Sequence, residues 1–455
     1  MQDARRPSFI SFIASWRPLV SRFSLRGLAL LFSCLLLLIS ALVTGLDMIY
    51  HLTYVLLGLA VLTLLWTWYD IRHFALNRQT KTHRTQVGKF AEENLTLRNT
   101  GRLPKLWMEV HDQSTLPQHQ VSRAITTLQG YRSFGWRVKT LCRKRGVYTL
   151  GPITVLSGDP FGLWRHQREL PTYSDLVVYP ATVDLPGFVL PAGELPGGSH
   201  LRRRTHYVTT NAAGVRDYYP GDSFKRIHWP STARKGRLIS KEFELDPRAD
   251  VWIVLDLERA VQARVAETDL LEEKVAAQPS TPDSFALLRD IFDLAKVQIE
   301  ADTEEYGVVI AASIAKNLLG QRRSVGLIAY GDRNEVLPPD RGERQLLKII
   351  EALALIRARG RTRLAEVLTA EELRFGRNTT VVVITPSDDE EWVTGLRYLL
   401  QRGVKAAAVL LESQSFGGWG QAAPISAVLT MSDVPVYVVR RGDALAQALS
   451  FDRRR

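Results

Sequence analysis

The sequence contains few cysteines, and no cysteine or histidine spacing of the kind that binds zinc. Cys34 and Cys142 are the only two cysteines among 455 residues. Cys34 lies in an apolar run and Cys142 in a basic segment, so we do not expect a disulfide between them. This composition argues against a disulfide-stabilised secreted domain and fits a reducing compartment.

The length and charge of the chain limit its class. A chain of 455 residues is too long for one ordinary hydrophobic core, so two or three domains are expected. The hydrophobic fraction of 45% and the charged fraction of 23% are typical of globular rather than disordered proteins. The net charge of +12 favours an acidic partner, a nucleic acid or an anionic membrane surface.

Two long runs without a charged residue lie near the N-terminus. Residues 28–46 read LALLFSCLLLLISALVTGL and residues 52–68 read LTYVLLGLAVLTLLWTW. Each approaches the roughly 20 residues that cross a bilayer core. A signal peptide could explain the first run alone. The second run follows after only five residues, so the pair predicts a transmembrane helical hairpin.

Basic residues flank the hairpin on its outer sides. They lie in a basic N-terminal segment, 1–27, and in a basic linker, 69–84, whereas the link 47–51 has no Lys or Arg. By the positive-inside rule, both ends of the hairpin face the cytoplasm. The sequence therefore predicts a multi-pass protein of the plasma or inner membrane, with its soluble domains in the cytoplasm and close enough to contact anionic lipid.

Short alternating runs separated by turn residues fill the range 85–180. Examples are ENLTLRN, LWMEVHD and GVYTL, with Gly and Pro between them. This pattern predicts a β-sandwich-like domain. The motif GDPFGLW, 158–164, predicts a tight turn that presents aromatic side chains at an edge of the sandwich.

Apolar strands alternate with amphipathic helices over 249–455. Runs such as VWIVL and TTVVVIT predict a parallel sheet that is covered on both faces. In such sheets the functional residues lie at the carboxyl ends of the strands, which singles out Asp256, the turn 330–332 and the loop 385–389. An insertion, 261–303, predicts either a lid, a partner-binding hairpin or a neutral addition.

Between these two regions lies a linker, 181–248, with an unusual charged segment, 214–244. This segment has a Pro-Gly-Asp turn followed by His228 and Trp229. A pair formed by His228 with Asp217 or Asp222 would suggest a general base, but the pattern marks no nucleophile. Ten Lys or Arg against two Asp in 201–241 would attract nucleic acid or anionic lipid. Arg and Trp together are also typical of protein interfaces, so we favour a docking and bracing role.

The 249–455 region resembles the von Willebrand factor type A domain. That family holds a divalent metal through D-x-S-x-S after its first strand, a threonine in a second loop and an aspartate after its fourth strand. Asp256 and Thr362 match two of these positions. Glu258, Ala260 and Pro386 replace the two serines and the aspartate. The resemblance therefore implies a degenerate site for Mg²⁺ or Mn²⁺.

The 214–244 segment resembles the bacterial family called "domain of unknown function 58". Its R-x-Y-x-x-G-D turn, I-H-W and K-x-F-E are matched in order by the following residues: Arg216, Tyr218, Gly221, Asp222, Ile227, His228, Trp229, Lys241 and Glu244. The resemblance implies a membrane-anchored protein without an established activity or cofactor. Family members are commonly encoded beside MoxR-type AAA+ ATPases and other type A-domain proteins. We therefore expect a non-enzymatic adaptor, with metal-dependent ligand binding and nucleic-acid or anionic-lipid binding as the alternatives.

Overall fold

The structure, a computed structural model, describes residues 25–190, 212–219, 227–243, 250–265, 299–377 and 379–450, with the backbone alone at 212–216 and 241–243. The chain divides into two compact units, the first ending at Tyr179 and the second beginning at Pro180. Most of the predicted insertion 261–303 lies outside the described residues.

Two helices, Leu25–Thr44 (α1) and Asp47–Asp70 (α2), open the first unit. Both are long and apolar enough to cross a membrane by length and composition. The link between them is shorter than predicted, because residues 47–51 form the first turns of α2 and Gly45 turns the chain at a φ of 66°. Hydroxyls such as Thr67, which donates to the Thr63 carbonyl at 2.7 Å, satisfy their hydrogen bonds within α2.

Ten strands follow in the first unit, and they form three sheets. They are Phe74–Thr80 (β1), Arg84–Gln86 (β2), Phe90–Asn99 (β3), Lys105–Asp112 (β4), Arg123–Leu128 (β5), Ser133–Leu141 (β6), Gly146–Leu150 (β7), Ile153–Gly158 (β8), Arg165–Leu170 (β9) and Ser174–Tyr179 (β10). The sheet orders are β1-β3-β6, β5-β4-β8-β9 and β2-β10-β7. The sheets begin earlier than predicted, because β1 lies inside the expected linker 69–84 and pairs along its whole length with β3.

Alternating side chains from two of these sheets meet in one core. Leu95 and Leu97 of β3 face Met108 of β4 and Ile153 of β8, and all four are fully buried. Period-2 alternation is what turns one face of each strand inward. The alternating pattern therefore predicted these strands correctly, while the polar strands β5 and β9 were not predicted.

Two side chains of the β-strand region donate hydrogen bonds to α2 at different positions along the helix axis. The Trp164 indole N–H donates to the Ala60 carbonyl at 3.1 Å and to the Thr63 hydroxyl at 2.8 Å. At the end of α2, the fully buried Lys105 ammonium donates to the Asp70 carbonyl at 2.6 Å. Burial lowers the pKa of Lys105, although the nearby Asp70 carboxylate opposes that shift. These bonds fix α2 against the sheets.

A charged cluster lies inside the same unit. Arg78 donates to Glu93 at 2.8 Å and to Asp112 at 3.0 Å, and His119 lies 3.3 Å from Glu93. All four side chains are at most 3% exposed. Burial would raise the pKa of Glu93, but hydrogen bonds from His119 and Arg78 and the charge of Arg78 lower it to about 2. The cluster is stable only as a unit, because each charge balances another.

The second unit contains a two-stranded sheet, a six-stranded sheet and seven α-helices within its described residues. The strands are Ala212–Asp217 (β11), Ile239–Phe243 (β12), Asp250–Leu255 (β13), Val325–Tyr330 (β14), Asn334–Asp340 (β15), Thr379–Thr385 (β16), Lys405–Leu411 (β17) and Val436–Val439 (β18). The helices are Trp229–Lys235 (α3), Thr303–Gly320 (α4), Glu343–Leu355 (α5), Leu364–Ala370 (α6), Glu390–Gln401 (α7), Ala422–Met431 (α8) and Leu445–Ala448 (α9).

The six-stranded sheet has the order β15-β14-β13-β16-β17-β18. All neighbours are parallel except β15, which pairs antiparallel with β14 at one edge. The central strands β13 and β16 are almost wholly buried, as expected for a parallel sheet covered on both faces. The chain therefore has a mixed α/β architecture, as the alternation of apolar strands and helices predicted.

Part of the predicted linker 181–248 packs onto this unit. The Val183 N–H donates to the Ser313 hydroxyl at 2.9 Å, and the Asn317 amide donates to the Leu185 carbonyl at 2.8 Å. Tyr437 donates to the Val189 carbonyl at 2.6 Å. The first residues after the unit boundary are thus held by α4 and β18.

We expect Arg78→Ala to lower the free energy of unfolding of the first unit by about 3–5 kcal/mol, because it leaves two buried carboxylates without their cation. Hydrogen exchange of the β3 amides would measure the change in the intact chain. The matched control is Lys139→Ala, which breaks an exposed pair with Glu92 and should change little. Equal exchange in both variants would contradict the prediction.

Candidate functional site

Asp256 follows β13 directly and lies at the point where the strand order of the six-stranded sheet reverses. The chain passes from β13 to β14 on one side and later returns to β16 on the other, so the carboxyl ends of β13 and β16 flank the usual ligand crevice. Here the chain itself donates hydrogen bonds to both oxygens of the Asp256 carboxyl. The Thr385 hydroxyl donates to Asp256 Oδ2 at 2.6 Å, and the Glu258 N–H donates to Oδ1 at 3.0 Å.

The environment of Asp256 favours its neutral form. The residue is only 5% exposed, and burial raises the pKa of its carboxyl to about 6. The bonds from Thr385 and the Glu258 N–H act in the opposite direction, while the negative charge of Glu258 adds to the rise. Burial also raises the pKa of Glu258, with Asp389 adding to that rise and Arg363 opposing it.

A chain of hydrogen bonds continues from Asp256 into the loop after β16. The Ser387 N–H donates to the Thr385 hydroxyl oxygen at 2.9 Å, and the Asp389 N–H donates to the Ser387 hydroxyl oxygen at 3.2 Å. Asp389 in turn caps α7 by accepting from the Glu391 N–H at 3.0 Å. Sequence reasoning placed 385–389 at this edge correctly, but it did not predict that the polar groups would bind one another.

The loop that carries Thr362 lies beside the loop that follows Asp256. The Gly360 N–H donates to the Leu257 carbonyl at 3.1 Å, and the Arg259 N–H donates to the Gly360 carbonyl at 2.9 Å. Thr362 itself is partly buried two residues further on. The structure therefore brings together the two loops that the type A resemblance pairs.

The donors at this edge do not fit the divalent ion that the resemblance implies. A hard cation such as Mg²⁺ needs several free oxygen ligands in near-octahedral array. Both oxygens of Asp256 already accept hydrogen bonds from the chain, and Ala260 and Pro386 offer no side-chain ligand. Across the described part of the chain, no three His, Cys, Asp or Glu side chains are grouped to hold a metal. Metal binding by Asp256 and Thr362 stays a prediction.

A tryptophan projects into solvent at the same edge. Trp419 is 96% exposed and lies in the loop before α8. The glycines on either side of Trp419 pack closely against other loops. A Cβ on Gly418 would clash with the Ser413 hydroxyl, and one on Gly420 would meet the Asp388 carboxyl at 3.2 Å. A loop fixed in this way presents the Trp419 ring rather than burying it. Sequence reasoning missed this residue, whose only local signal is its position between glycines.

The charged segment 214–244 forms a small motif of its own. Strands β11 and β12 pair antiparallel, with Arg216 opposite Ser240 and Val215 opposite Lys241. The Tyr218 N–H extends the pairing by donating to the Leu238 carbonyl at 3.0 Å. Helix α3 precedes β12 and leaves Trp229 exposed at its first position. Gly221, Asp222 and Glu244 lie outside the described residues, as do Arg202, Arg203 and Arg204.

His228 acts as a brace at the start of α3. Its Nδ1 lies 2.7 Å from the Ser231 hydroxyl, and its backbone N–H donates to the Ile239 carbonyl at 2.8 Å. Asp217, a candidate partner in the general-base hypothesis, instead pairs with Arg237 at 3.2 Å. These contacts connect α3 to strand β12, and the docking and bracing role of the segment stays a prediction.

These elements define a class of protein. Two N-terminal helices are apolar enough to cross a membrane, and they are followed by β-sheets and a mixed α/β sheet. Comparison with known families agrees with the motif in 214–244. Residues 214–278 match the family model described as "Protein of unknown function DUF58". The "Uncharacterized protein YeaD" of Bacillus subtilis (strain 168) is 24% identical over 295 residues, which is 63% of this chain and 63% of that relative. The family match supports the resemblance of the 214–244 motif within residues 214–278.

Two solved structures resemble about a quarter of the chain. The CARDB domain of the PF1109 protein from Pyrococcus furiosus is 14% identical, with a TM-score of 0.18, over 23% of this chain and 91% of its own. A β-glucosidase from Listeria innocua is 10% identical, with a TM-score of 0.17, over 23% of this chain and 16% of its own. TM-scores this low support no conclusion about fold or function.

We expect Asp256→Asn to stabilise the second unit by about 3 kcal/mol at pH 8, and this gain to disappear near pH 4. The folded-state pKa of about 6 lies above the ordinary value of 3.8, so the carboxyl stabilises the fold at low pH. That contribution is lost as the pH rises through about 6. An asparagine amide resembles the neutral carboxyl without its charge, because its oxygen can accept from the Glu258 N–H and its NH2 group can donate to the Thr385 hydroxyl oxygen.

Hydrogen exchange of the β13 and β16 amides between pH 4 and 8 would measure this difference in the intact chain. Asp340→Asn, which changes an exposed carboxylate on β15, is the control and should show no such pH dependence. A pH-independent effect of Asp256→Asn would contradict the buried-acid interpretation.

Proposed function

We propose that the chain is a membrane-anchored, non-enzymatic scaffold that presents its mixed α/β unit to a partner protein in the cytoplasm. The partner that the family resemblance implies is a MoxR-type AAA+ ATPase or another type A-domain protein. The two apolar helices supply the anchor, and the basic residues on their outer flanks support a cytoplasmic orientation.

The exposed Trp419 carries the proposal. Tryptophan is the residue most enriched among interface hot spots, and a large aromatic ring left in water at a functional edge is best explained by a partner. The run SDDEE, 387–391, lies beside it, and the Asp388 carboxyl approaches the backbone of Gly420. A partner that fits this face has an apolar pocket surrounded by basic groups.

The sheet supports a type A-like fold for this unit. A first strand at the switch point, a doubly wound order and a single antiparallel edge strand agree with that interpretation. The Asp256 and Thr362 loops meet at the edge where type A domains bind their ligands. The scaffold would use this edge without a metal, because Ala260 and Pro386 offer no side-chain ligand where the type A family has one.

We expect Trp419→Ala to abolish recovery of the AAA+ ATPase when the full-length chain is isolated from native membranes in mild detergent. The wild type should recover the ATPase, as identified by mass spectrometry. Met431→Ala is the matched control, because Met431 is an 88% exposed apolar residue at the end of α8, on the opposite edge of the sheet. Trp229→Ala tests the 214–244 segment in the same way.

Recovery of the ATPase by the wild type but not by Trp419→Ala would support both the partner and the face. Equal recovery by Trp419→Ala and Met431→Ala would assign the interaction to another surface. If folded wild type recovers no AAA+ ATPase or type A-domain protein, the scaffold proposal is wrong.

We also expect Mg²⁺ and Mn²⁺ to leave the thermal unfolding midpoint of the wild type unchanged. A ligand that binds only the native state raises that midpoint with its concentration. A rise that is lost in both Asp256→Ala and Thr362→Ala, but kept in Asp340→Ala, would instead establish metal-dependent ligand binding.

A further inference from the structure

The turn between β8 and β9 lies beside the apolar helices rather than at a free edge of the sheets. Leu163 and Trp164 pack against Ala60 of α2, with Leu30 of α1 next to them. The Trp164 indole reaches the Ala60 carbonyl and the Thr63 hydroxyl. The motif 158–164 therefore contacts the helical hairpin inside its uncharged runs.

The position of these contacts along α1 can be given relative to the last charged residue before its apolar run. Arg26 is the last charged residue before the apolar run of α1, and its guanidinium lies 3.3 Å from where a Cβ on Gly162 would be. Leu30 follows four residues later, which is about 6 Å further along the helix axis. If α1 and α2 cross a bilayer, the turn lies between the headgroups at the level of Arg26 and the acyl chains at the level of Leu30.

Three backbone N–H groups of the turn have the internal partners that this environment requires. Lipid offers no hydrogen-bond partners, so a loop at membrane depth must satisfy its polar groups internally. The Asp159 carboxylate accepts from the Phe161 N–H at 2.9 Å and from the Trp164 N–H at 2.6 Å. The Gly162 N–H donates to the Asp159 carbonyl at 3.0 Å, and Pro160 has no N–H.

The side chains of the turn are apolar at its tip and basic behind it. Pro160 is exposed, and Phe161 is 57% exposed, although both are apolar. Arg165 and Arg168 follow on β9, and both are exposed. An apolar tip followed by exposed arginines on the next strand matches acyl chains beside a layer of anionic headgroups.

We propose that the turn 159–164 is a third membrane-inserted element, which places Pro160 and Phe161 in the acyl region of the cytoplasmic leaflet. The inference rests on the membrane anchorage stated in the proposed function. The occupant of this apolar surface is lipid, because the adjoining surfaces of α1 and α2 are the ones that face acyl chains. The turn thus extends the membrane contact of the helices onto the β-sheets.

Depth-dependent fluorescence quenching tests this insertion. Cys34 and Cys142 would be replaced by alanine, and single cysteines would be introduced by Phe161→Cys, Phe32→Cys and Tyr173→Cys. Phe32 is an exposed residue within α1, and Tyr173 is an exposed residue beyond the opposite end of β9. Each full-length variant would carry a polarity-sensitive dye in vesicles of phosphatidylethanolamine and phosphatidylglycerol with nitroxide-labelled acyl chains.

We expect a blue shift and quenching at Phe161→Cys and at Phe32→Cys, with neither change at Tyr173→Cys. Pro160→Cys should repeat the result for Phe161→Cys, which guards against a local effect of one substitution. Quenching at Phe32→Cys but not at either turn position would overturn the insertion while leaving the anchorage intact. Quenching at Tyr173→Cys as well would also overturn it, because the whole β-strand region would then lie on the membrane.

Absence of quenching at all positions, including Phe32→Cys, would show that α1 is not in the bilayer. That outcome would contradict both the membrane anchorage and the insertion of the turn. It is distinguishable from a result in which only the turn positions are not quenched.

Discussion

Hydrogen bonding of buried polar groups is the constraint on which the described structure most depends. In the first unit it joins Arg78 to Glu93 and Asp112 and joins Trp164 to α2. In the second unit it joins Asp256 to Thr385 across two central strands. A buried polar group without a partner destabilises a fold by several times the net value of an ordinary hydrogen bond. Each of these groups therefore fixes the elements that carry its partners.

The elements with strong periodic signals were predictable from the sequence. The apolar runs of α1 and α2, the buried strands β13 and β16, and the alternating strand β3 all lie where their patterns indicate. The edge strand β15 was not predicted, and it contains Pro338 and Pro339, which are disfavoured inside a sheet. An edge strand tolerates proline, since one side of its backbone needs no ladder hydrogen bond.

The candidate site was predictable in position but not in chemistry. Asp256 and 385–389 follow from the rule that functional residues lie at the carboxyl ends of parallel strands. The 2.6 Å bond between Asp256 and Thr385 joins residues 129 positions apart, and no local pattern contains it. The exposure of Trp419 depends likewise on close approaches of Gly418 and Gly420 to other loops. Long-range contacts of this kind decide whether the polar side chains at the carboxyl ends of the strands bind one another or face solvent.

The two attachments of α2 to the β-strands have a mechanical consequence. Trp164 holds the helix at Ala60 and Lys105 holds it at Asp70, ten residues or about 15 Å further along the axis. Two contacts this far apart on one helix prevent α2 from pivoting relative to the β-sheets. If α2 crosses a bilayer, as proposed above, a tilt that matches it to a thinner bilayer rotates the β-sheets of the first unit by the same angle. Bilayer thickness would in this way set the angle between the β-sheets and the membrane plane.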